Sequence, residues 1–182
     1  MTDALYFTDD PDACALIARD PFALLVGLAI DQQVPVQKAF AGPYVLRQRV
    51  GTIDPKKLAK LDLEPAFREK PAIHRFPGAM AERVRELAAV VAEDYAGDAS
   101  RIWTEAADAE DLGRRIGALP GFGPMKGTSL ASILAKRFGV AVAEPLVPTH
   151  PTLGDIDSPQ ALADYQAAKR AHKAAMRAAA GA

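Results

Sequence analysis

The chain carries one cysteine, Cys14, in 182 residues. That excludes an intramolecular disulfide and any site built on several thiolates, an iron–sulfur cluster included. The thiol reads as a small buried hydrophobe. Aromatic residues are scarce, and β-branched runs are too short to suggest a sheet. No apolar run reaches the length of a membrane span, so no membrane partner is expected. The opening stretch MTDALYFTDDPDA has acids and no basic segment, unlike a secretory signal, which leaves the cytoplasm as the default expectation. His74, His150 and His172 lie far apart and lack metal-ligand spacing, so no metal is expected. An excess of one charge is missing too: 22 Lys and Arg face 23 Asp and Glu. Net charge therefore says nothing of a nucleic-acid partner, but its distribution does. Asp3, Asp9, Asp10, Asp12 and Asp20 lie early, whereas the last helix carries Lys169, Arg170, Lys173 and Arg177. Taken alone, that tail is explained equally well as a solvated helix face.

What is abundant favours helix. DPFALLVGLAI begins with an N-cap aspartate, Asp20, followed by proline, and reads as a buried helix ending near Asp31. VPVQKAFAGPYVLRQRVG reads as a second helix stopping by Gly51, interrupted or kinked at Pro43. Asp54 repeats the Asp-Pro opening. PGAMAERVRELAAVVAEDY spaces Met80, Val84, Leu87, Val90 and Val91 along one helical face, and DAEDLGRRIGAL opens at Asp108. MKGTSLASILAKRFG is a further helix. VAVAEPLVPTHPTLGDID holds three prolines and is the one long irregular stretch, in which VAVAE has the composition of a short strand. A last helix follows from Asp157 or Ser158, with Pro159 in its first turn. The expected class is all-α.

Between two helices sits LPGFGPMKG, residues 119–127. Its glycines permit a tight reversal and clear side chains from the backbone. The helix that follows starts near Pro124, where unpartnered amides and the helix dipole suit an anion. Gly121 and Gly123 would admit a phosphate to those amides, and Lys126 and Thr128 would add a charge and a hydroxyl. Gly-x-Gly alone is weak support, since it also makes plain helix corners. The whole pattern of apolar residue, Pro, Gly, apolar, Gly and helix resembles the helix-hairpin-helix motif of DNA-repair proteins. Two other stretches agree in order and separation. LAIDQQVPVQKAFAGP, residues 28–43, resembles the Gln-bearing loop of the helix-hairpin-helix (HhH-GPD) DNA glycosylase superfamily, and HRFPGAMAERVRELA resembles the helix between that loop and the hairpin. The likeness covers about residues 20–140 and is strongest to the small, cluster-free branch of base-excision-repair proteins.

The resemblance implies a two-lobe helical architecture within a single module, 1–182. Residues 23–136 would form the lobe with the Gln loop and hairpin, and 1–22 plus 137–182 the second lobe. It implies a monomer that binds damaged duplex DNA, wedges Gln33, with Gln32 beside it, into the gap left by an extruded nucleotide, and hydrolyses the N-glycosidic bond. No cofactor is expected, although a monovalent cation at the hairpin is compatible with the family. Phe40, Tyr44 and Trp103 could stack on a base, but core packing is the expected role of each.

The chain departs from the family at two points. Where members carry a catalytic aspartate, this sequence has VPTH, with Pro148 in that register. Counting from the hairpin favours Glu144, and the end of the loop offers Asp155 or Asp157, of which Asp157 suits an N-cap. Glu144 and Asp155 stand equal as candidate catalysts, and a chain with no catalytic carboxylate is the third outcome. The family's Schiff-base lysine falls on Met125, with Lys126 one residue later and turned by about 100° on a helix. A lyase is therefore not expected. The competing functions are a non-catalytic DNA-binding module of the same fold and a helical protein–protein adaptor.

Overall fold

The computed structural model describes residues 2–181. These form ten α-helices and two short 3-10 segments, with no strand among the described residues. The helices are α1 (Pro11–Arg19), α2 (Pro21–Ile30), α3 (Val36–Val50), α4 (Pro55–Leu58), α5 (Glu64–Arg68), α6 (Pro77–Asp94), α7 (Arg101–Thr104), α8 (Ala109–Gly117), α9 (Pro124–Phe138) and α10 (Pro159–Ala180). No single described helix is long and apolar enough to cross a membrane.

One local device starts three of these helices. Asp10, Asp20 and Asp54 each precede a proline, and each turns its carboxylate back on the first-turn amides. Asp10 accepts from Asp12 and Ala13 at 2.9 and 3.1 Å, and Asp20 from Phe22 and Ala23 at 2.9 and 3.0 Å. The proline fixes φ and has no N–H to leave unpaired, so aspartate and proline together fix where the helix begins. Asp20 also closes α1, which makes α1 and α2 a sharp corner. α1, whose Cys14, Leu16 and Ile17 are buried, is a helix beyond those expected from the sequence.

Around this corner the core assembles on α2, in which every residue from Phe22 to Ile30 is buried. α1, α3, α6 and α9 all pack against it or against its neighbours. α3 approaches closely because Gly42 leaves room for Ile30. The expected break at Pro43 does not occur. α3 runs unbroken through it, with Pro43 and Gly42 both buried, so packing outweighs the hydrogen bond lost at the ring. α1 contacts both α2 and α3.

The C-terminal stretch lies on the other side of α9. Gly139, in the left-handed region at φ 65°, ends α9. The expected strand VAVAE is instead part of a 3-10 segment, Ala141–Leu146, which packs on α8 and α9. No strand is available to pair with it among the described residues, and Pro145 removes a donor. A second 3-10 segment, Leu153–Asp155, packs on α9 so tightly that Gly154 lies against the Ser132 carbonyl. α10 opens at Ser158, whose hydroxyl accepts from Ala161 at 3.1 Å. It buries Leu162 only, and every side chain from Ala167 onward is exposed.

Two glycine substitutions should therefore move stability in opposite directions. A Cβ at Gly154 would press on α9 backbone, which cannot swing aside, so Gly154→Ala should cost about 1–3 kcal/mol. Gly113, inside α8, has nearly open space where its Cβ would be, so Gly113→Ala should gain roughly 0.5–1 kcal/mol. Urea unfolding of the two variants beside the parent checks both signs.

Candidate functional site

α2 ends at Ile30, and its last turn launches the Gln loop, residues 31–35. Three bonds satisfy the final carbonyls: Asp31 N–H donates to Leu28, Gln32 N–H to Ile30, and the Lys126 ammonium to Ala29 at 2.7 Å. A second long-range tie follows at once. The Gln32 carbonyl accepts from His74 Nε2 at 2.8 Å, while His74 Nδ1 accepts from the Phe76 N–H at 3.0 Å. An accepting Nδ1 places the proton of the neutral ring on Nε2. His74 is fully buried, and burial lowers its pKa more than the Gln32 carbonyl raises it. Held this way, the loop presents Gln33 in the left-handed region at φ 57° with its side chain exposed.

The hairpin turns at Leu119–Gly123, with Phe122 buried beneath it. Its two glycines are not equivalent. Gly121 sits at φ 80° beside the Arg83 guanidinium of α6, and its dihedral favours glycine. Gly123, at φ −82°, has nothing near the position of a Cβ. No side chain caps α9, which leaves its first-turn amides open towards solvent. Met125 is 82% exposed. Thr128 gives its hydroxyl hydrogen to the Pro124 carbonyl at 2.8 Å, so it has no donor left for a phosphate. Lys126 also departs from its expected place. It points inward to α2 and is half-buried, and burial lowers its pKa against the pull of Asp31.

The two expected carboxylates differ. Glu144 is exposed on the first 3-10 segment, and its carboxylate has no hydrogen bond or ion pair among the described residues. Asp155 is fully engaged. It caps the second 3-10 segment by accepting from Thr152 N–H at 2.8 Å, and it pairs with Lys136 at 2.5 Å. Burial alone would raise its pKa, but Lys136 and Thr152 outweigh burial and hold it below the usual range.

A third carboxylate, Asp31, was not singled out from the sequence. It is half-buried at the first position of the Gln loop and makes no side-chain hydrogen bond or ion pair among the described residues. Burial raises its pKa, with Lys169 of α10 and Lys126 of α9 opposing. Tyr165 of α10 lies close enough to feel both Asp31 and Asp155, after burial the main causes of its raised pKa. α10 reaches this place through a two-way amide pair between Gln166 and Gln37, at 2.8 and 3.0 Å. Lys126, Lys169 and Tyr165 thus each lie within electrostatic reach of Asp31.

The other aromatics have structural tasks. Phe40 is buried edge-on to Phe7 at 4.9 Å, Tyr44 donates to Asp12 at 3.3 Å, and Trp103 packs half-buried on the core. Two surface hollows, one beside Asp62 and Arg85 and one beside Asp20 and Asp98, touch neither the Gln loop nor the hairpin. No protein-family model, curated protein or solved structure matches the chain.

His74 makes the loop sensitive to acid. Its folded pKa lies below the unfolded value of about 6.5. The unfolded chain therefore binds more protons in that window, and stability is full above about pH 6.5 and lost as pH falls through the lower folded value. Protonating Nδ1 also removes the acceptor for Phe76. Urea midpoints from pH 8 to 5 should fall for the parent. In His74→Phe the unfolding free energy at pH 8 should be lower, by about 1–3 kcal/mol for the unpaired Gln32 carbonyl and Phe76 amide, and its acid-dependent fall should be smaller.

Proposed function

We propose that the chain is a monofunctional DNA N-glycosylase of the HhH-GPD kind. It would bind a duplex across the Gln loop and the hairpin, extrude one nucleotide and hydrolyse its N-glycosidic bond. The observation that carries this reading is the bond from Lys126 to Ala29. It joins the hairpin helix to the end of the helix that launches the Gln loop, so two of the three stretches on which the resemblance rests are neighbours in space. A plain helix corner has no need of such a partner.

In this reading Gln33 enters the gap in the duplex, where its amide offers a flat face with donors and acceptors for an orphaned base. The open amides at the start of α9 take a phosphate, with Gly123 leaving them unobstructed. Lys126 serves as the joint between loop and hairpin. Asp31 supplies the carboxylate. As the base leaves with the electron pair of the broken C1′–N bond, water attacks C1′ and gives its proton to the carboxylate, and the departing base then takes up a proton. Burial disfavours the ionised form that this step needs, and Lys169 and Lys126 oppose burial. Met125 puts no amine in the register of the family's nucleophile, which favours hydrolysis over a lyase.

Pro148 and the engaged Asp155 favour a second reading, a DNA-binding module of the same fold without catalysis. Single-turnover base release from duplexes holding uracil, alkylated or oxidised bases separates the two. A glycosylase releases base from at least one of them. Asp31→Asn should then slow release by about 100-fold or more, the scale of a lost general base, and Glu144→Gln should leave the rate within about twofold, as expected of an exposed group remote from the chemistry. Binding without release on every duplex selects the module, and no binding at low salt removes both.

A further inference from the structure

We propose that the projecting half of α10 is a backbone clamp that lays Lys173 and Arg177 along the phosphates of the bound duplex. This rests on the DNA-binding reading above and adds a second contact surface to it. Leu162, Gln166, Lys169, Lys173 and Arg177 follow one another at steps of four, three, four and four, so they share one face of the helix. The lower part of that face is docked. Leu162 is buried, and Gln166 pairs with Gln37 in the first turn of α3, immediately after the Gln loop. Lys169 stands at the edge, within the field of Asp31 and 5.7 Å from the Tyr165 ring. Lys173 and Arg177 continue the same face outward, fully exposed, with no ion pair or side-chain hydrogen bond among the described residues. The face that grips the protein beside the Gln loop thus becomes a basic edge beyond it.

The chemistry of this half-helix selects its occupant. No Asp or Glu follows Asp164, while Lys169, Arg170, Lys173 and Arg177 do. A protein groove or a membrane would need apolar anchors at helical spacing. Beyond Tyr165 the one large apolar side chain is Met176. Cations on an alanine-rich helix without apolar anchors suit a dense, regular line of anions, and duplex DNA provides one charge per about 1.7 Å of axis. Arg and Lys in this arrangement position a duplex without reading its bases.

The test is anisotropy of the full chain with a labelled duplex carrying a tetrahydrofuran abasic-site analogue, and with the undamaged duplex, from low to moderate KCl. Lys173→Ala/Arg177→Ala should weaken both duplexes alike, roughly tenfold at low salt, and should reduce the slope of log affinity against log salt by about two, near one per lost phosphate contact. Lys173→Arg should keep the parental slope. Gln33→Ala should lose preference for the abasic duplex while the slope stays the same. If the parent binds and the double alanine variant keeps its slope, the clamp is wrong and the DNA-binding reading stands. If the parent binds neither duplex, both fall. If the parent binds phosphatidylserine vesicles instead, through the same two residues, the occupant is a membrane and the clamp is overturned.

Discussion

The Lys126–Ala29 bond is the contact on which the arrangement of the site depends. α2 is apolar throughout and buried, so its C-terminal carbonyls emerge into a crowded place where water reaches poorly. Such groups need partners. The following backbone serves Leu28 and Ile30, and the carbonyl of Ala29 is served by a side chain from far along the sequence. A cation at a helix C-terminus is also favoured by the helix dipole. One ammonium thus completes a helix end and fixes where the hairpin lies relative to the Gln loop.

That same use of Lys126 shapes the charges around it. Burying the ammonium lowers its pKa, and Asp31 offsets part of the cost. Burial raises the pKa of Asp31, which Lys126 and Lys169 offset in turn. No pair here is a close salt bridge, so the carboxylate keeps its oxygens free while remaining in a positive field. Asp155 shows the alternative. Its oxygens are taken by Lys136 and Thr152, which stabilise the 3-10 segment and depress its basicity. A carboxylate that has given its lone pairs to structure is a poorer proton acceptor than one held nearby and left unpaired.

Much of the helical framework was legible because its signals are local. Aspartate followed by proline marks a helix start wherever it occurs, and α2 and α4 begin at these signals. α1 carries the same signal at Asp10 and was passed over beside the acidic opening stretch. At Pro43 and VAVAE local preference and packing disagree. Each has a clear local preference that packing overrides, the proline buried inside α3 and the apolar run wound against α8 and α9. The site was legible only as far as its motifs. LPGFGPMKG and DQQVP mark the hairpin and the loop, but the inward turn of Lys126, the buried His74 and the place of Asp31 depend on three-dimensional proximity. His74 opens the third family-like stretch, HRFPGAMAERVRELA, yet nothing in that stretch signals that its ring will hold the Gln32 carbonyl.

Gln33 joins these threads. A left-handed conformation is unfavourable for a residue with a Cβ, by roughly 1–2 kcal/mol, and glutamine has no side-chain geometry that relieves it as asparagine does. Such a conformation persists where its surroundings over-determine it. Here the preceding carbonyl is fixed by His74, the helix before it is pinned by Lys126, and Pro35 restricts the exit into α3. Three constraints converge on one residue whose side chain stays exposed. A fold gains no stability by holding an exposed glutamine in strain. In the proposed function a wedge would gain from it, because a tip already fixed in place need not lose its freedom on entering a duplex.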